Sequence, residues 1–316
     1  MAAVTGSFKT YDAVANREDL TDAIYNISPT DTPFMSAIGR SKAQNVLHEW
    51  QTDSLAAAST SNAVLEGDEV SRTTSAPTTR VQNYCQISRK DVTVAGTQRA
   101  VNHAGIKDML AYQFAKKSKE LKRDMESILL TNQGMNAGDA TTPRKLRSLN
   151  SWLSSNVNRG TGGANATAAT AAATDATSGS MRAFDEDILK DVIQKCYISG
   201  GEPSLLMVGP VNKQKVSNFT GRSQARQNID RERIQGAASL YASDFGDLKV
   251  VPNRFQRERD AWLVDPDMAS VAYLRPFTTF DLAKVGDADS KVILVEYTLQ
   301  VKNEAAHGLA ADLTTS

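Results

Sequence analysis

The sequence predicts a mixed α+β fold with an extended front, and three observations predict it. One long helical stripe stands alone in the first half of the chain, strand-like runs flank it without a repeated βαβ unit, and the first third carries apolar patches too small to build a core. The 316 residues, 41% hydrophobic and 23% charged, can bury a core divided over two packed subdomains.

Residues 1–43 read as an arm with two short helices. In the first, Leu20, Ile24 and Ile27 fall at i, i+4 and i+7, a single stripe that needs a partner surface. In the second, Thr32 is placed to cap, Pro33 suits the first helical position, Phe34 and Ile38 lie one turn apart, and Gly39 is placed to end the helix. Residues 44–91 read as an extended hairpin. The run QNVLHEWQ (44–51) sets Val46, His48 and Trp50 on one strand face, RVQNYCQISRKDVTV (80–94) supplies the return strand, and a polar, small-residue connection joins them. Such a hairpin is marginal alone in water, so a neighbouring surface is expected to cover it.

The strongest helical pattern covers 102–132, with Ile106, Leu110, Phe114, Leu121, Met125 and Ile128 on one stripe. Lys107, Lys116, Glu120, Lys122, Arg123 and Glu126 fall on other faces, and Gly134 is placed to end the helix. At 1.5 Å per residue this is a beam of roughly 40 Å on which a sheet can pack. The tract GTGGANATAATAAATDATSGS (160–180) has too little apolar bulk to fold by itself and reads as an exposed mobile loop. A helix over 184–198, a buried strand from Ser204 and a helix through Val216 and Phe219 follow. Strands are expected near 248–251, 261–264, 270–274 and 291–301.

Composition narrows the function. The 36 basic and 36 acidic residues balance, which gives no field for wrapping nucleic acid or docking on a membrane and permits crowded self-association. No run approaches the ~18 apolar residues of a membrane span, and the front MAAVTGSFKTYDAV lacks a secretion signal, so a soluble protein made in the cytoplasm is expected. Cys85 and Cys196 are too few and too distant for a thiolate zinc cluster or a disulfide framework, and His48, His103 and His307 are scattered singly, so no metal and no cofactor is expected.

Candidate chemistry is thin. Nucleophile-elbow, P-loop and dinucleotide motifs are absent, and no catalytic residue is assigned. Asp265 and Asp267 flank Pro266 as in an ordinary turn; a hydrolase using them is the reading from a different class. Asp287 and Asp289 imitate a calcium loop whose sixth-position Gly and twelfth-position Glu are missing. The arginine-rich run GRSQARQNIDRER (221–233) is diluted by Asp230 and Glu232 and holds no aromatic for stacking on bases. It reads as an inter-subunit face, with Arg222, Arg226 and Arg231 offered to the acidic tip Glu66, Asp68 and Glu69.

An ordered series of segments carries a resemblance: NISPTDTPFMSAIG (26–39), VLEGDE (64–69), DFGDLKVVPNRF (244–255), VDPDMASVAYLRPF (264–277) and KVILVEYTLQVKNEAAHG (291–308). Spread over nearly the whole chain, it resembles the major capsid proteins of tailed phages, whose fold is called the HK ninety-seven type. The resemblance implies an N-terminal arm (1–43), an extended hairpin loop (44–91), a peripheral domain with the spine helix (92–184), an axial domain (185–276) and a return to the peripheral sheet (277–316).

It also implies hexamers and pentamers of this chain in an icosahedral shell around double-stranded DNA contacted non-specifically. A separate scaffolding protein, a portal and a decoration protein are the other implied partners, with assembly in the bacterial cytoplasm and no membrane. An encapsulin-type shell around a cargo enzyme is the alternative with the same fold. The interface residues expected are Leu20, Ile24, Ile27, Trp50 and Glu66, Asp68 and Glu69, and removal of everything before Gln44 is expected to leave a folded monomer unable to close shells. No charged helical segment precedes the arm, so the chain is not expected to carry its own scaffold. No lysine lies between Lys42 and Lys90, so subunits welded through a loop lysine are not expected. Denaturing gels of purified particles should show one monomer band, and a ladder of covalent oligomers would refute this.

Overall fold

Three sheets and one long helix organise the chain in a computed structural model that describes residues 29–69, 77–101, 106–167, 174–219 and 239–315. A four-stranded sheet has the order β1 (Gly39–Lys42), β10 (Ala269–Asp281), β11 (Ala288–Val301), β4 (Gln86–Ala95). A six-stranded sheet has the order β5 (Val157–Asn158), β12 (Gly308–Ala310), β9 (Ala261–Val264), β6 (Leu205–Val208), β8 (Gly246–Pro252), β7 (Leu240–Ser243). The pair β2 (Leu47–Thr52) and β3 (Thr79–Tyr84) forms the third. The helices are α1 (Pro33–Ala37), α2 (Gly96–Ala100), α3 (Met109–Leu130), α4 (Leu149–Trp152), α5 (Glu186–Ile198) and α6 (Pro210–Ser217).

The beam predicted over 102–132 is α3, shorter at both ends. Asp108 caps it by accepting from the Leu110 and Ala111 N–H groups, and the chain is extended again at Thr131. Gly134 is not the stop: its N–H donates to Asp175 Oδ1 at 2.6 Å. The 22 residues of α3 span roughly 33 Å. Leu121, Met125, Leu129 and Leu130 pack into a core with Val295, Tyr297 and Leu299 of β11 and with Trp262 and Val264 of β9. A second core lies between Leu189, Val192 and Ile193 of α5 and Leu206, Val208 and Leu263 of the six-stranded sheet. All four residues of β6 are buried, which explains its uninterrupted apolar run.

Five expectations need correction. The second arm helix exists as α1, but its apolar side is used by its own subunit. Phe34 and Ile38 are buried in the main core, and β1 continues from Gly39 and pairs in parallel with β10. Deleting everything before Gln44 would therefore strip core and sheet. The first arm stripe, Leu20, Ile24 and Ile27, lies outside the described residues.

The return strand of the hairpin is really two strands. The chain breaks at Cys85, whose N–H donates to Val46 O, so that β3 pairs with β2 while β4 joins β11. The C-terminus does not stay with the four-stranded sheet: β12 enters the six-stranded one, and Leu309 to Leu313 are buried. A Cβ at Gly308 would sit 2.5 Å from Val192 Cγ1 and 2.8 Å from Cys196 Sγ, so only glycine lets this strand pass under α5. The boundary expected at 276 falls inside β10, where Pro276 lies within the second register shift of the β10–β11 ladder, between Arg275 and Thr278.

The described parts of the tract 160–180 are not loose. Ala164 and Thr177 bridge, Ala166 and Ala176 are buried, and Asn132 exchanges two hydrogen bonds with Ala176. Its glycines allow backbone to touch backbone: a Cβ at Gly179 would lie 2.4 Å from Gly160 O and 2.8 Å from Gly163 N. Because no flexible side chain can move aside, Gly179→Ala should cost about 2–3 kcal/mol in urea unfolding. An unchanged midpoint would show that the tract yields.

Candidate assembly surface

Beyond Thr52 the chain leaves the body. Every residue over 53–69 is exposed, with Leu55 99%, Val64 79% and Leu65 82% accessible. The far end is nevertheless shaped: Asp68 N–H donates to Leu65 O at 3.1 Å and Gly67 takes φ +84°, a tight turn that asks for glycine. Glu66, Asp68 and Glu69 surround this turn, and none enters an ion pair among the described residues. An apolar pair beside three carboxylates, held in water by a turn, is the kind of exposed patch that marks a contact site.

The root of this excursion is anchored firmly. Trp50 Nε1–H donates to Val301 O at 2.9 Å, and its ring lies 5.4 Å from that of Trp152 and 5.5 Å from that of His48. The Arg147 guanidinium stands 4.2 Å from the Trp152 ring and donates twice to Ser151 O. Burial brings the Arg147 pKa down to about 10, so the group stays a cation at neutral pH. The expected contact residues thus separate. Trp50 holds the root against its own body, Glu66, Asp68 and Glu69 stand at the tip, and Arg222, Arg226 and Arg231 lie outside the described residues.

A second exposed region went unread in the sequence because β10 was expected to end at Leu274. It runs to Asp281, and Phe277, Phe280, Leu282 and Val285 stand in water. The β-forming run RPFTTF was the available signal. Beside it, a cavity of about 280 Å³ opens between the start of α3 and the outer part of β10.

The candidate chemical groups are in structural use. Asp265 Oδ1 accepts from Asp267 N–H, a self-contained turn. Asp289 is paired with Arg99 and Lys284. Both thiols are buried and free, pushed up by burial to about 11 for Cys85 and about 12 for Cys196, too high to act as nucleophiles at neutral pH. Among the described residues no group of three His, Cys, Asp or Glu could hold a metal ion, and no helix is long and apolar enough to cross a membrane.

His307 is fully buried, its Nδ1 accepting from Asp265 N–H at 3.2 Å. Burial lowers its pKa, against smaller raising effects of Met268 O, Asp265 and Glu304. The ring is therefore neutral when folded and takes a proton more readily when unfolded. Its stabilisation is complete above about pH 6.5 and is lost as pH falls below that, by at most about 1.4 kcal/mol per pH unit. His307→Asn, which keeps an acceptor for Asp265, should show a shallower fall in urea midpoint from pH 7 to 5; parallel curves would contradict this.

The family profile described as SU10 major capsid protein matches residues 4–314. The chain belongs to the SU10 major capsid protein family. The major capsid protein of Escherichia phage Phieco32 is 25% identical, over 96% of this chain and 96% of that one. Among solved structures, a chain of Gordonia phage Cozz superposes with a TM-score of 0.62 at 9% identity, covering 99% of this chain and 98% of that one. The SrpI encapsulin of Synechococcus elongatus superposes with a TM-score of 0.54 at 10% identity, covering 96% and 94%.

At such identities the superpositions show the fold alone, the HK ninety-seven type, which phage capsids and encapsulins share. The SU10 profile and the Phieco32 relative decide between them: the function is that of a major capsid protein of a tailed phage, a structural subunit of the virion that assembles with copies of itself.

Proposed function

We propose that copies of this chain form the hexamers and pentamers of an icosahedral head around double-stranded DNA, with residues 53–69 lying over a neighbouring copy. The observation that carries the reading is the exposure of Leu55, Val64 and Leu65 on an excursion whose root is fixed. Many modest contacts of this kind suffice when each subunit makes several. The stripe Leu20, Ile24 and Ile27 docks on an adjacent subunit in this reading, and the shell performs no catalysis. A scaffolding protein, a portal and a decoration protein are its further partners, and the head assembles in the host cytoplasm.

Replacing residues 54–69 by a short Gly-Ser linker tests the reading, because it removes no buried side chain. The variant should melt like the parent as a free subunit yet give no closed shells in electron micrographs. Shells of normal size and number would overturn the overlay.

A further inference from the structure

We propose that in the free subunit the stripe Leu20, Ile24 and Ile27 folds back into the groove between the start of α3 and β10 of its own chain, and must leave that groove before the subunit joins a shell. This rests on the proposed docking of the same stripe on an adjacent subunit and adds the contact that holds it back beforehand.

The described part of the chain leaves the groove uncovered. Leu110, Ala111, Phe114 and Phe280 line a cavity of about 280 Å³, and Phe280 is 45% accessible, so a second apolar surface would gain from covering it. The stripe has the complementary need, with three aliphatic side chains on one helical face and polar residues between them.

Reach selects the chain's own arm. The Phe34 and Met35 N–H groups are bonded to the Glu126 carboxylate, so the arm sets out from α3 itself. From Glu126 back to Phe114 the helix rises about 18 Å, and the seven steps from Phe34 to Ile27 span at most about 25 Å. Residues 29–32 are not helical, which keeps that span available. A helical stretch from Ile27 to Leu20 covers about 11 Å more, enough to pass Leu110, about 6 Å beyond Phe114. The path is open: Lys122, Lys119, Ala115 and Ala111 are exposed and fall within about 60° of Glu126 around the helix, and the two alanines keep the last part low.

Charge points the same way. Residues 17–31 hold Glu18, Asp19, Asp22 and Asp31 against Arg17 alone. Beside the path stand Lys107, Lys116, Lys119 and Lys122, all exposed and none in an ion pair among the described residues. Such attraction is weak enough to be broken when another copy offers its own surface, and it fades with salt.

A disulfide trap in the full chain tests the contact, because the bond forms only when two Cα atoms come within about 7 Å. The native Cys85 and Cys196 are buried and do not compete. In dilute, mildly oxidised subunit, Ile24→Cys/Ala111→Cys should close an internal ring, a faster monomer band in non-reducing gels, about fivefold more than Ile24→Cys/Lys215→Cys, whose second site lies exposed on α6. The single variants Ile24→Cys and Ala111→Cys, mixed, should give no linked dimer. The closed ring should build shells at roughly tenfold lower yield and recover with reductant. If the ring does not outpace its control, or the link forms only between mixed chains, the fold-back is overturned while docking on a neighbour stands. If the ring closes and still builds shells normally, the release step is refuted. Normal shells from Leu20→Asp/Ile24→Asp would instead overturn the docking reading itself.

Discussion

Glu126→Ala is expected to lower the stability of the isolated subunit by about 3–5 kcal/mol, a large share of the ~5–15 kcal/mol that holds a protein folded. The carboxylate lies fully buried on α3 and accepts three hydrogen bonds, from Phe34 N–H at 2.7 Å, Met35 N–H at 2.9 Å and Asn253 Nδ2–H at 2.8 Å. It caps α1 from outside, since the Thr32 side chain makes no capping bond, and ties the arm root and the end of β8 to the spine helix. Burial pushes its pKa up while the three donors oppose that shift. Alanine would orphan all three donors inside the protein. Glu126→Gln keeps one acceptor oxygen, enough for two donors when it takes the Oε1 position, and should lose only about 1–2 kcal/mol. Amide exchange at Phe34 and Met35 should rise in both variants; unchanged protection would show that α1 is held by Phe34 packing alone.

Trp50→Ala should remove the anchor of the loop. The change deletes the contact with the Trp152 ring and the bond to Val301 O, for a loss of about 2–3 kcal/mol at this half-buried site. Its consequence for assembly is larger than the stability change, because among the described residues β2 and β3 pair only with each other and Trp50 fixes the direction in which residues 53–69 leave. Trp50→Phe keeps a ring but not the N–H donor and should cost about 1 kcal/mol. The expected order of shell yield is parent, Trp50→Phe, Trp50→Ala; equal yields from all three would mean that the neighbour, not the root, sets the loop's course.

The order arm, hairpin, long helix and α+β body was legible because each part announces itself over many residues. The stripe through Leu110, Leu121 and Met125 has helical period, and β6 and β9 are unbroken apolar runs buried on both faces. What escaped notice depends on a distant segment. Glu126 reads as a solvent-facing charge until the N-terminus of α1 arrives to donate to it, and the 160–180 tract reads as mobile because composition cannot show that Gly160 and Gly179 press against each other. Cys85 gives no local sign that one β run serves two sheets. The acidic tip was visible as VLEGDE, but the cavity between α3 and β10 was not, since the two elements lie far apart in the chain and meet only in the fold.

Hydrogen exchange over residues 53–69, compared between free subunit and assembled particle, tests the central claim most directly. The account predicts fast exchange in the free subunit, where these residues lack the cover of their own body, and strong protection once other copies lie beneath them. Equal exchange in both states, or protection already present in the free subunit, would contradict it.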